Sequence, residues 1–430
     1  MAAWASAAPT RQYLGVPAYR ASRGGLSSDA VLCSVRRMQS PAGGLPTVKP
    51  IDHEDSRTVS ALLAPKEHPL TVDSATDFLL ARRVFGPEHI LSGEVRVIEA
   101  PRRNRNILIW IGDDRGYVIK QPEPTEPSTA DTLTCEARFY QHHHIGDDAP
   151  LSNIIPKFVA FEANQSILTL ELVADHSTIS EVCRAHPVHE FPIALWRRLG
   201  ATVAKIHNNG DAEALPLSRR CGTPPWAFRA HRPSAGSMRS ESAASLAALA
   251  AIQAAPALLD CFSTGVSQWE PSVLIHGDLR FDNILAANVA SEATGLKLLD
   301  WELCQHGDPA WDVACVVAGV VRLWLQTIYL GHHGDENSAV EQSNWSVYQA
   351  AIRSFWFGYS AAQRPTIARE KLARFTVLAL LQSVLENERY ATHLTESSIL
   401  ALQLCENIAA DPQLAADDFF ALGAPDLRAT

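Results

Sequence analysis

The sequence predicts an α+β fold in two lobes, a small β-rich lobe followed by a larger, mostly helical one. Two patterns predict this division. Short alternating or continuous apolar segments, typical of strands, occur between residues 94 and 173. Beyond them, apolar residues recur at helical spacing, as in Leu195, Trp196 and Leu199. Strands grouped in one part of a chain and helices in another are typical of the α+β class.

The small lobe is predicted to begin with a helix whose start, residues 74–77, resembles a capping box and whose end is marked by Gly86. Strand-like segments follow, and residues 113–116 have the composition of a hairpin turn between two of them. The predicted strands are residues 94–100, 107–111, 116–120 and 167–173, and the predicted helix among them is 133–140.

The large lobe is predicted to be helical, with one irregular segment. Pro192 suits the first turn of a helix that continues to Ile206. Residues 209–238 are rich in Pro, Gly, Ser and Arg, which predicts irregular structure around Trp226 and Phe228. Further helices are predicted at residues 242–262, 340–362, 365–391 and 396–410.

Composition argues against several functions. The 430 residues include 37 Lys and Arg against 47 Asp and Glu, a net charge of −10. A general nucleic-acid binder needs a basic surface that neutralises phosphates, so no nucleic-acid partner is predicted. The eight cysteines form no C-x-x-C pair, which predicts free thiols and a cytoplasmic location. Residues 313–321 are apolar but much shorter than the ~20 residues of a membrane span, so they predict a buried helix and no membrane partner.

Residues 1–50 differ from the rest of the chain. They contain five Arg and one Lys but a single acidic residue, Asp29, together with many Ala, Ser, Gly and Pro. Such a segment buries little apolar surface, which predicts a disordered extension. A targeting peptide is the alternative, although a clear amphipathic helix is lacking.

A short polar loop between two apolar runs is the strongest chemical signal. It holds His276, Asp278, Arg280 and Asn283 within residues 273–285. Burying such a loop is costly unless its polar groups have partners or a chemical role. Phosphoryl transfer requires a carboxylate that orients the attacking hydroxyl and a neutral oxygen ligand for Mg²⁺. Asp278 and Asn283 could supply these two groups.

A second signal follows at the end of the apolar segment 296–299, where Asp300 stands. A carboxylate at this place could bridge Mg²⁺ and phosphates. The combined pattern, His-x-Asp-x-x-x-x-Asn and then an Asp after a strand, is far more specific than a lone glycine-rich loop. An ordinary polar turn with a surface carboxylate is the alternative.

Together with the sequence Gly-Asp-Pro-Ala-Trp-Asp at residues 307–312, these loops resemble the signature of the aminoglycoside phosphotransferase and choline kinase family. The resemblance covers residues 90–410 and implies a bilobal protein-kinase-like fold with ATP and Mg²⁺ between the lobes. On this basis the chain is predicted to divide into a disordered extension at residues 1–50, a nucleotide-binding lobe at 51–173 and a catalytic and acceptor-binding lobe at 174–430.

The resemblance also implies roles for residues of the large lobe. Asp278 resembles the catalytic Asp, and Asn283 and Asp300 resemble the metal ligands. Asp312 resembles a structural Asp that braces the catalytic loop by accepting hydrogen bonds from backbone N–H groups. His276 is predicted to brace the same loop, because Asp278 already occupies the position of the base.

Arg280, two residues after the catalytic Asp, is also counted with the catalytic residues, and two interpretations of it stay open. Its guanidinium could stabilise charge on the transferring phosphate, as a Lys does at the corresponding place in protein kinases. It could instead form a salt bridge with Asp282 or another acid.

In the small lobe the resemblance implies a nucleotide site. Lys120 is predicted to hold the α- and β-phosphates, with Glu136 fixing the lysine. Glu171 and Val173 lie on the strand that leads to the adenine-binding hinge, and ATP rather than GTP is the family default. Residues 102–106, with three arginines and no Gly-x-Gly, would form the phosphate-covering loop or a solvated basic turn.

The acceptor is predicted only as a class. We expect a hydroxyl-bearing small molecule, of aminoglycoside type or another metabolite, bound by residues 209–240 and the helices after 335. Acidic side chains at Asp335, Glu336 and Glu341 could suit a polycationic sugar, or form a solvated loop. An alternative is a kinase of the lanthipeptide and thioamitide branch, which would phosphorylate Ser/Thr of a ribosomally made precursor peptide for a partner lyase. A second alternative is a catalytically silent kinase-like binding protein.

Overall fold

The computed structural model describes the chain from residue 69 to residue 423, with internal gaps. All described residues belong to one compact unit, Thr58–Thr430. The predicted extension at residues 1–50 lies outside the described residues, as do Pro192 and most of the acidic loop predicted near residue 335. The gaps are residues 102–103, 113–114, 123–127, 145–148, 175, 186–192, 214, 235–237, 239–240, 288–294, 332–344 and 363–366.

Five antiparallel strands form the sheet of the small lobe, in the order β1-β2-β3-β5-β4. One face packs against helix α1, where Phe78 joins Ile107 and Ile119 in a buried cluster. Successive side chains of a strand point to opposite faces, so Lys120 points away from this cluster. The elements are α1 (Val72–Ala81), α2 (Glu88–Leu91), β1 (Val95–Pro101), β2 (Arg105–Ile111), β3 (Arg115–Gln121), α3 (Ser128–His143), β4 (Phe158–Glu162) and β5 (Ile167–Glu171).

Helices dominate the rest of the described chain. Helices α5 (Ile193–Asn209) and α10 (Trp345–Ser360) approach closely because glycines lie at their contact. A Cβ on Gly200 or Gly358 would collide with the backbone of the facing helix. The helices are α4 (Ile179–Ala185), α5 (Ile193–Asn209), α6 (Leu217–Arg220), α7 (Ala243–Ala254), α8 (Pro256–Ser267), α9 (Pro309–Gly331), α10 (Trp345–Ser360), α11 (Arg369–Asn387), α12 (Glu396–Ala410) and α13 (Pro412–Leu414).

Several helix boundaries differ from the predictions; α3, for example, spans Ser128–His143 rather than 133–140. Two of the differences have a clear local cause. Helix α1 starts earlier because Thr71 is its capping residue: Thr71 Oγ1 accepts from the Ser74 N–H at 3.3 Å, and Ser74 Oγ accepts from the Thr71 N–H at 2.9 Å. The helix predicted at residues 242–262 is two helices, because Pro256 has no N–H to continue α7 and instead begins α8.

Two small sheets hold the loops of the large lobe. Strand β7 (Val273–Ile275) pairs with β10 (Gln305–Gly307), and β8 (Ile284–Ala287) lies between β6 (His176–Thr178) and β9 (Leu296–Leu298). Both sheets are antiparallel. The segment between β7 and β8 and the segment between β9 and β10 are therefore held side by side.

The buried helix predicted at residues 313–321 is confirmed as part of α9. Val316, Val317, Val320 and Val321 are at most 1% exposed. By length and composition, the window Pro309–Ile328 is apolar enough to cross a membrane, and 56% of it is buried inside the protein. Helix α9 is thus a core helix of this fold, and it forms one wall of the site described next.

Candidate active site

The loop that carries Asp278 follows β7 and makes a sharp turn at Gly277, where φ is +83°. Glycine adopts this left-handed conformation without the steric cost that a side chain adds. A Cβ at this position would also collide with the carbonyl oxygen of Leu303, in the segment that follows Asp300. The loop that carries Asp278 and the loop that carries Asp300 are therefore in direct backbone contact.

Asp312 braces this turn from the first turn of α9. Its Oδ2 accepts from the His276 backbone N–H at 2.7 Å, and its Oδ1 accepts from the Gly277 N–H at 3.0 Å. The His207 ring lies 3.2 Å from the same carboxylate. Burial would raise the pKa of Asp312, but the His207 hydrogen bond and nearby His276 lower it below its usual value. The brace is an ionised carboxylate fully enclosed by donors.

His276 is fully buried, and both ring nitrogens contact backbone groups. Nδ1 lies 3.3 Å from the Asp278 N–H, and Nε2 lies 2.8 Å from the Leu299 carbonyl oxygen. A neutral ring with its proton on Nε2 satisfies both contacts, since Nδ1 then accepts and Nε2 donates. The ring thus joins the loop that carries Asp278 to the end of β9, and both of its nitrogens are occupied by these contacts.

Asp278 is 6% exposed, and its two carboxylate oxygens differ. Oδ2 accepts from Arg280 Nη2 at 2.7 Å and from Nε at 3.1 Å. Arg280 Nη1 donates to Oε2 of Glu386 at 2.9 Å. Of the two interpretations of Arg280, the salt bridge is present, with Asp278 and Glu386 as partners rather than Asp282. Among the described residues, no hydrogen bond engages Oδ1 of Asp278.

Asn283 and Asp300, predicted as metal ligands, lie on adjoining backbone. The Asn283 carbonyl oxygen accepts from the Leu299 N–H at 2.8 Å. Nδ2 of Asn283 donates to the Asp278 carbonyl oxygen at 3.0 Å, so its amide oxygen is the atom that could bind a cation. Asp300 has φ +66° and ψ +59°, a left-handed conformation that turns the chain sharply after β9.

Lys120 of the small lobe is paired with two carboxylates, one from each lobe. Its Nζ lies 2.7 Å from Oε1 of Glu136 on α3 and 2.7 Å from Oδ1 of Asp300. Burial alone would lower the pKa of Lys120, but these two acids raise it well above its usual range. Burial raises the pKa of Glu136 to about 7, and the negative charge of Asp300 adds to this increase. The positive charge of Lys120 offsets only part of it. This cluster brings together three of the predicted site residues from three separate elements.

The turn between β1 and β2 contacts the same region through a pair that the sequence did not predict. Asn104 Nδ2 donates to Oε2 of Glu302 at 2.8 Å, and both side chains are buried. Within the predicted phosphate-covering loop, Arg105 instead pairs with Glu99 at 2.7 Å, and Arg102 and Arg103 lie outside the described residues. The sequence signal for Glu302 was an acidic residue two positions after Asp300, and the structure shows that its side chain is buried.

Glu171 and Val173 stand apart from this cluster. Glu171 ends β5, and its carboxylate points to surface Lys157 at 3.9 Å. Val173 follows on the connecting segment, and both are partly buried. No hydrogen bond within the described chain joins either residue to Lys120 or Asp300, so a role in nucleotide binding would fall to the backbone.

A cavity of about 290 Å³ opens beside Asp278 and Arg280. Its walls are α4, α9 and the carboxy-terminal half of α11. Of the predicted acceptor segments, the helices after residue 335 reach this cavity through α11. Phe228, in contrast, is fully buried against Trp269 and Phe375, so it belongs to the core. Asp335, Glu336 and Glu341 lie outside the described residues.

Comparison with known protein families gives one match. Residues 94–348, more than half of the chain, match the sequence model described as "Phosphotransferase enzyme family". No curated protein sequence matches the chain at a significant level.

The chain is also similar to several solved structures. An ethanolamine kinase from Plasmodium vivax is 12% identical, with a TM-score of 0.48 over 85% of this chain and 96% of that one. A macrolide 2'-phosphotransferase from Brachybacterium faecium is 17% identical, with a TM-score of 0.41 over 78% and 97%. The GDP complex of aminoglycoside 2'-phosphotransferase-IIIa is 14% identical, with a TM-score of 0.46 over 80% and 100%. The family match rests on the sequence model and not on these similarities.

Proposed function

Because the chain belongs to the phosphotransferase enzyme family, we propose that it transfers the γ-phosphate of Mg²⁺-bound ATP to a hydroxyl of a small molecule. The predicted family, and the predicted class of kinase with an alcohol acceptor, are confirmed by the match over residues 94–348. This family membership also implies the use of a nucleotide. The acceptor, the choice of ATP and the need for Mg²⁺ are the proposed parts.

One observation carries the proposal: within the described part of the chain, Asp278 presents an oxygen without a hydrogen bond beside a cavity, while Arg280 fixes its other oxygen. A carboxylate held in this way can accept the hydrogen bond of an acceptor hydroxyl and orient its oxygen toward phosphorus. The hydroxyl oxygen would form a bond to the γ-phosphorus as the bond to the bridging oxygen of the nucleoside diphosphate breaks. The hydroxyl proton would pass to Asp278.

The donor set supports a Mg²⁺ site. Asn283 and Asp300 offer an amide and a carboxylate oxygen, and Mg²⁺ is usually held by one or two protein oxygens, with phosphates and waters completing its shell. The described residues contain no group of three or more His, Cys, Asp or Glu side chains that could hold an ion on their own. When bound, the ion would neutralise charge on the phosphates.

Lys120 and Arg280 would supply the remaining positive charge. Lys120 is held between Glu136 and Asp300, at the place where the family resemblance puts the nucleotide phosphates. Arg280 lies beside the reactive oxygen and is about half exposed, so its guanidinium can reach a bound phosphoryl group. Preorganised cations of this kind stabilise the charge that spreads over the transferring oxygens.

The small volume of the cavity, about 290 Å³, favours a small acceptor over a peptide segment. A partner lyase and a precursor peptide stay hypotheses without a supporting contact. The neighbouring aminoglycoside enzyme was solved with GDP, so GTP is included as a donor in the test. A cytoplasmic location stays a prediction from the free thiols.

The test is turnover of ATP and GTP, with and without Mg²⁺, against neutral, cationic, acidic and peptide acceptors, read as a gain of one phosphate by mass. Asp278→Asn should reduce turnover by about a thousandfold or more, because removal of a catalytic group typically costs this much. Asp260→Asn, an exposed acid on α8, is the matched control. Full activity of Asp278→Asn would contradict the proposal.

A further inference from the structure

Two more guanidinium groups line the cavity beside Asp278. Arg322 extends from α9, in one wall, and Arg184 stands near the end of α4, at the exposed rim. With Arg280, three arginines face a space of about 290 Å³. Three acids, Asp278, Asp282 and Glu386, also line it, so the question is which charges are already paired.

Of the three acids, Asp278 and Glu386 are already paired, and Asp282 is exposed and forms no salt bridge within the described chain. Arg280 occupies both Asp278 and Glu386 through salt bridges of 2.7 and 2.9 Å. Arg322 makes one long hydrogen bond, from Nη1 to Oγ of Ser383 at 3.4 Å. Arg184 donates from Nε to the Ser180 carbonyl of its own helix at 3.1 Å. Within the described chain neither of these two guanidiniums has a salt bridge.

Because Arg322 is largely buried, the lack of a negatively charged partner within the described chain is energetically costly. Burial, and then the positive charge of Arg280, lower the pKa of Arg322, and Glu386 and Asp282 offset only part of this effect. Arginine keeps its proton in proteins, so the largely buried cation stays charged and incompletely compensated. A bound anion would compensate it through short, charge-assisted hydrogen bonds in the fork geometry that guanidinium offers.

The remaining wall suits a small polar molecule. Ala318, Gly319 and Ala379 contribute little bulk, and Gln326 and Gln382 offer amide groups. The volume lies near the lower limit of small-molecule sites, which is on the order of 300 Å³. The space therefore fits a compact acceptor better than an oligosaccharide.

From this arrangement we infer that the acceptor is a small hydroxyl compound bearing a carboxylate or phosphate, which Arg322 and Arg184 bind while its hydroxyl reaches Asp278. This inference rests on the proposed function and gives it a substrate class. The class is opposite in charge to the polycationic sugar considered from the sequence. Phosphoryl transfer itself is unchanged: the new bond joins the acceptor oxygen to the γ-phosphorus, and the nucleoside diphosphate leaves.

The experiment compares matched acceptors that differ only in one group. Three-carbon and hexose scaffolds are each offered in neutral, amino, carboxylate and phosphate forms, and kcat/KM is measured with Mg²⁺ and ATP. The acidic forms should exceed the neutral and amino forms by about tenfold or more, as expected for a hydrogen bond between charged groups. The carboxylate and phosphate arms separate the two possible anions.

Substitutions of Arg322 test whether this arginine causes the preference for acidic acceptors. Arg322→Gln should raise the acceptor KM about tenfold to a hundredfold and leave the nucleotide KM within about threefold. Arg322→Lys, which keeps the charge but not the fork, should retain part of the preference. Arg389→Gln makes the same charge change at an exposed site beside Tyr390 and should behave as wild type.

The outcomes separate this inference from the proposed function. A preference for neutral or amino acceptors overturns the inference, as does an Arg322→Gln enzyme whose nucleotide KM rises instead of its acceptor KM. If no acidic compound is phosphorylated while ATP hydrolysis still depends on Asp278, the inference is wrong and the proposed function stands. If ATP turnover is absent, or equal in wild type and Asp278→Asn, the proposed function itself fails.

Discussion

Nη1 of Arg280 lies 2.9 Å from Oε2 of Glu386, and this contact ties the loop that carries Asp278 to the carboxy-terminal end of α11. The same guanidinium holds Asp278, so the orientation of its carboxylate depends on a helix more than 100 positions away in the chain. Nothing in the loop sequence indicates this partner.

Glu386→Gln should therefore reduce kcat without unfolding the protein. The amide keeps the size of the side chain but weakens the hold on Arg280, and we expect a loss of about threefold to tenfold in kcat. Both groups are partly exposed, so stability should change by less than about 1 kcal/mol. Steady-state kinetics and urea unfolding measure the two effects. Glu406→Gln, an exposed change on α12, is the control, and an equal loss there would refute the coupling.

Asp312→Asn should destabilise the fold. The amide can accept at only one of the two positions where Asp312 meets the backbone N–H groups of His276 and Gly277. A buried donor left without a partner costs about 1–3 kcal/mol, more beside a charge. Urea unfolding should show this difference at pH 7. Because the pKa of Asp312 is lowered in the folded state, its contribution is present above the unfolded value of about 4 and is lost as pH falls through the lower folded value. A constant difference between wild type and variant down to pH 2 would contradict the role.

Gly277→Ala should destabilise the protein more than a change at another glycine with positive φ. Gly93 has φ +76° and open space around its Cα, so Gly93→Ala measures the cost of the backbone conformation alone, about 1–2 kcal/mol. Gly277→Ala adds a collision with Leu303 and should cost at least about 1 kcal/mol more, with loss of turnover. Equal unfolding free energies for the two variants would show that the loops are not in tight contact.

Nucleotide binding should weaken below neutral pH. The pKa of Glu136 is raised to about 7, so acidification neutralises it and leaves Lys120 paired, among the described residues, with the carboxylate of Asp300 alone. The KM for ATP should then rise as pH falls from 8 to 6, and Glu136→Gln should show a high KM with little dependence on pH in this range. Glu94→Gln, an exposed acid of the same lobe, should keep the wild-type profile. A wild-type KM that is flat across this range would count against the ion pair.

Local patterns predicted the parts of the site that lie within one loop or one strand. The spacing of Asp278 and Asn283, and the position of Asp300 after a strand, are local, and the structure places the three side by side. Lys120 and Glu136 are 16 residues apart and meet at 2.7 Å. Family resemblance predicted this pair where spacing alone could not.

The rest depends on contacts between distant segments, which no local pattern encodes. Glu302 contacts Asn104, which is 198 positions away in the sequence. Arg322 can be identified as a residue that lines the cavity only from the structure, in which α9 and α11 form two of its walls. The irregular segment around Phe228 left two interpretations open, a surface that binds the acceptor or a cap on the core, and the buried ring belongs to the core. Burial is decided by what packs around a residue and not by its neighbours in sequence.

The close approach of Gly277 to Leu303 has a consequence for how this protein could acquire new acceptors. Because the two loops touch through backbone, a shift of one would displace the other, and the distance between Asp278 and Asp300 is effectively fixed. Adaptation to another acceptor would then have to occur in the helical walls, where side chains can change independently of that distance. Directed evolution should start from the wall positions on α4, α9 and α11 and keep residues 276–283 and 300–304 constant.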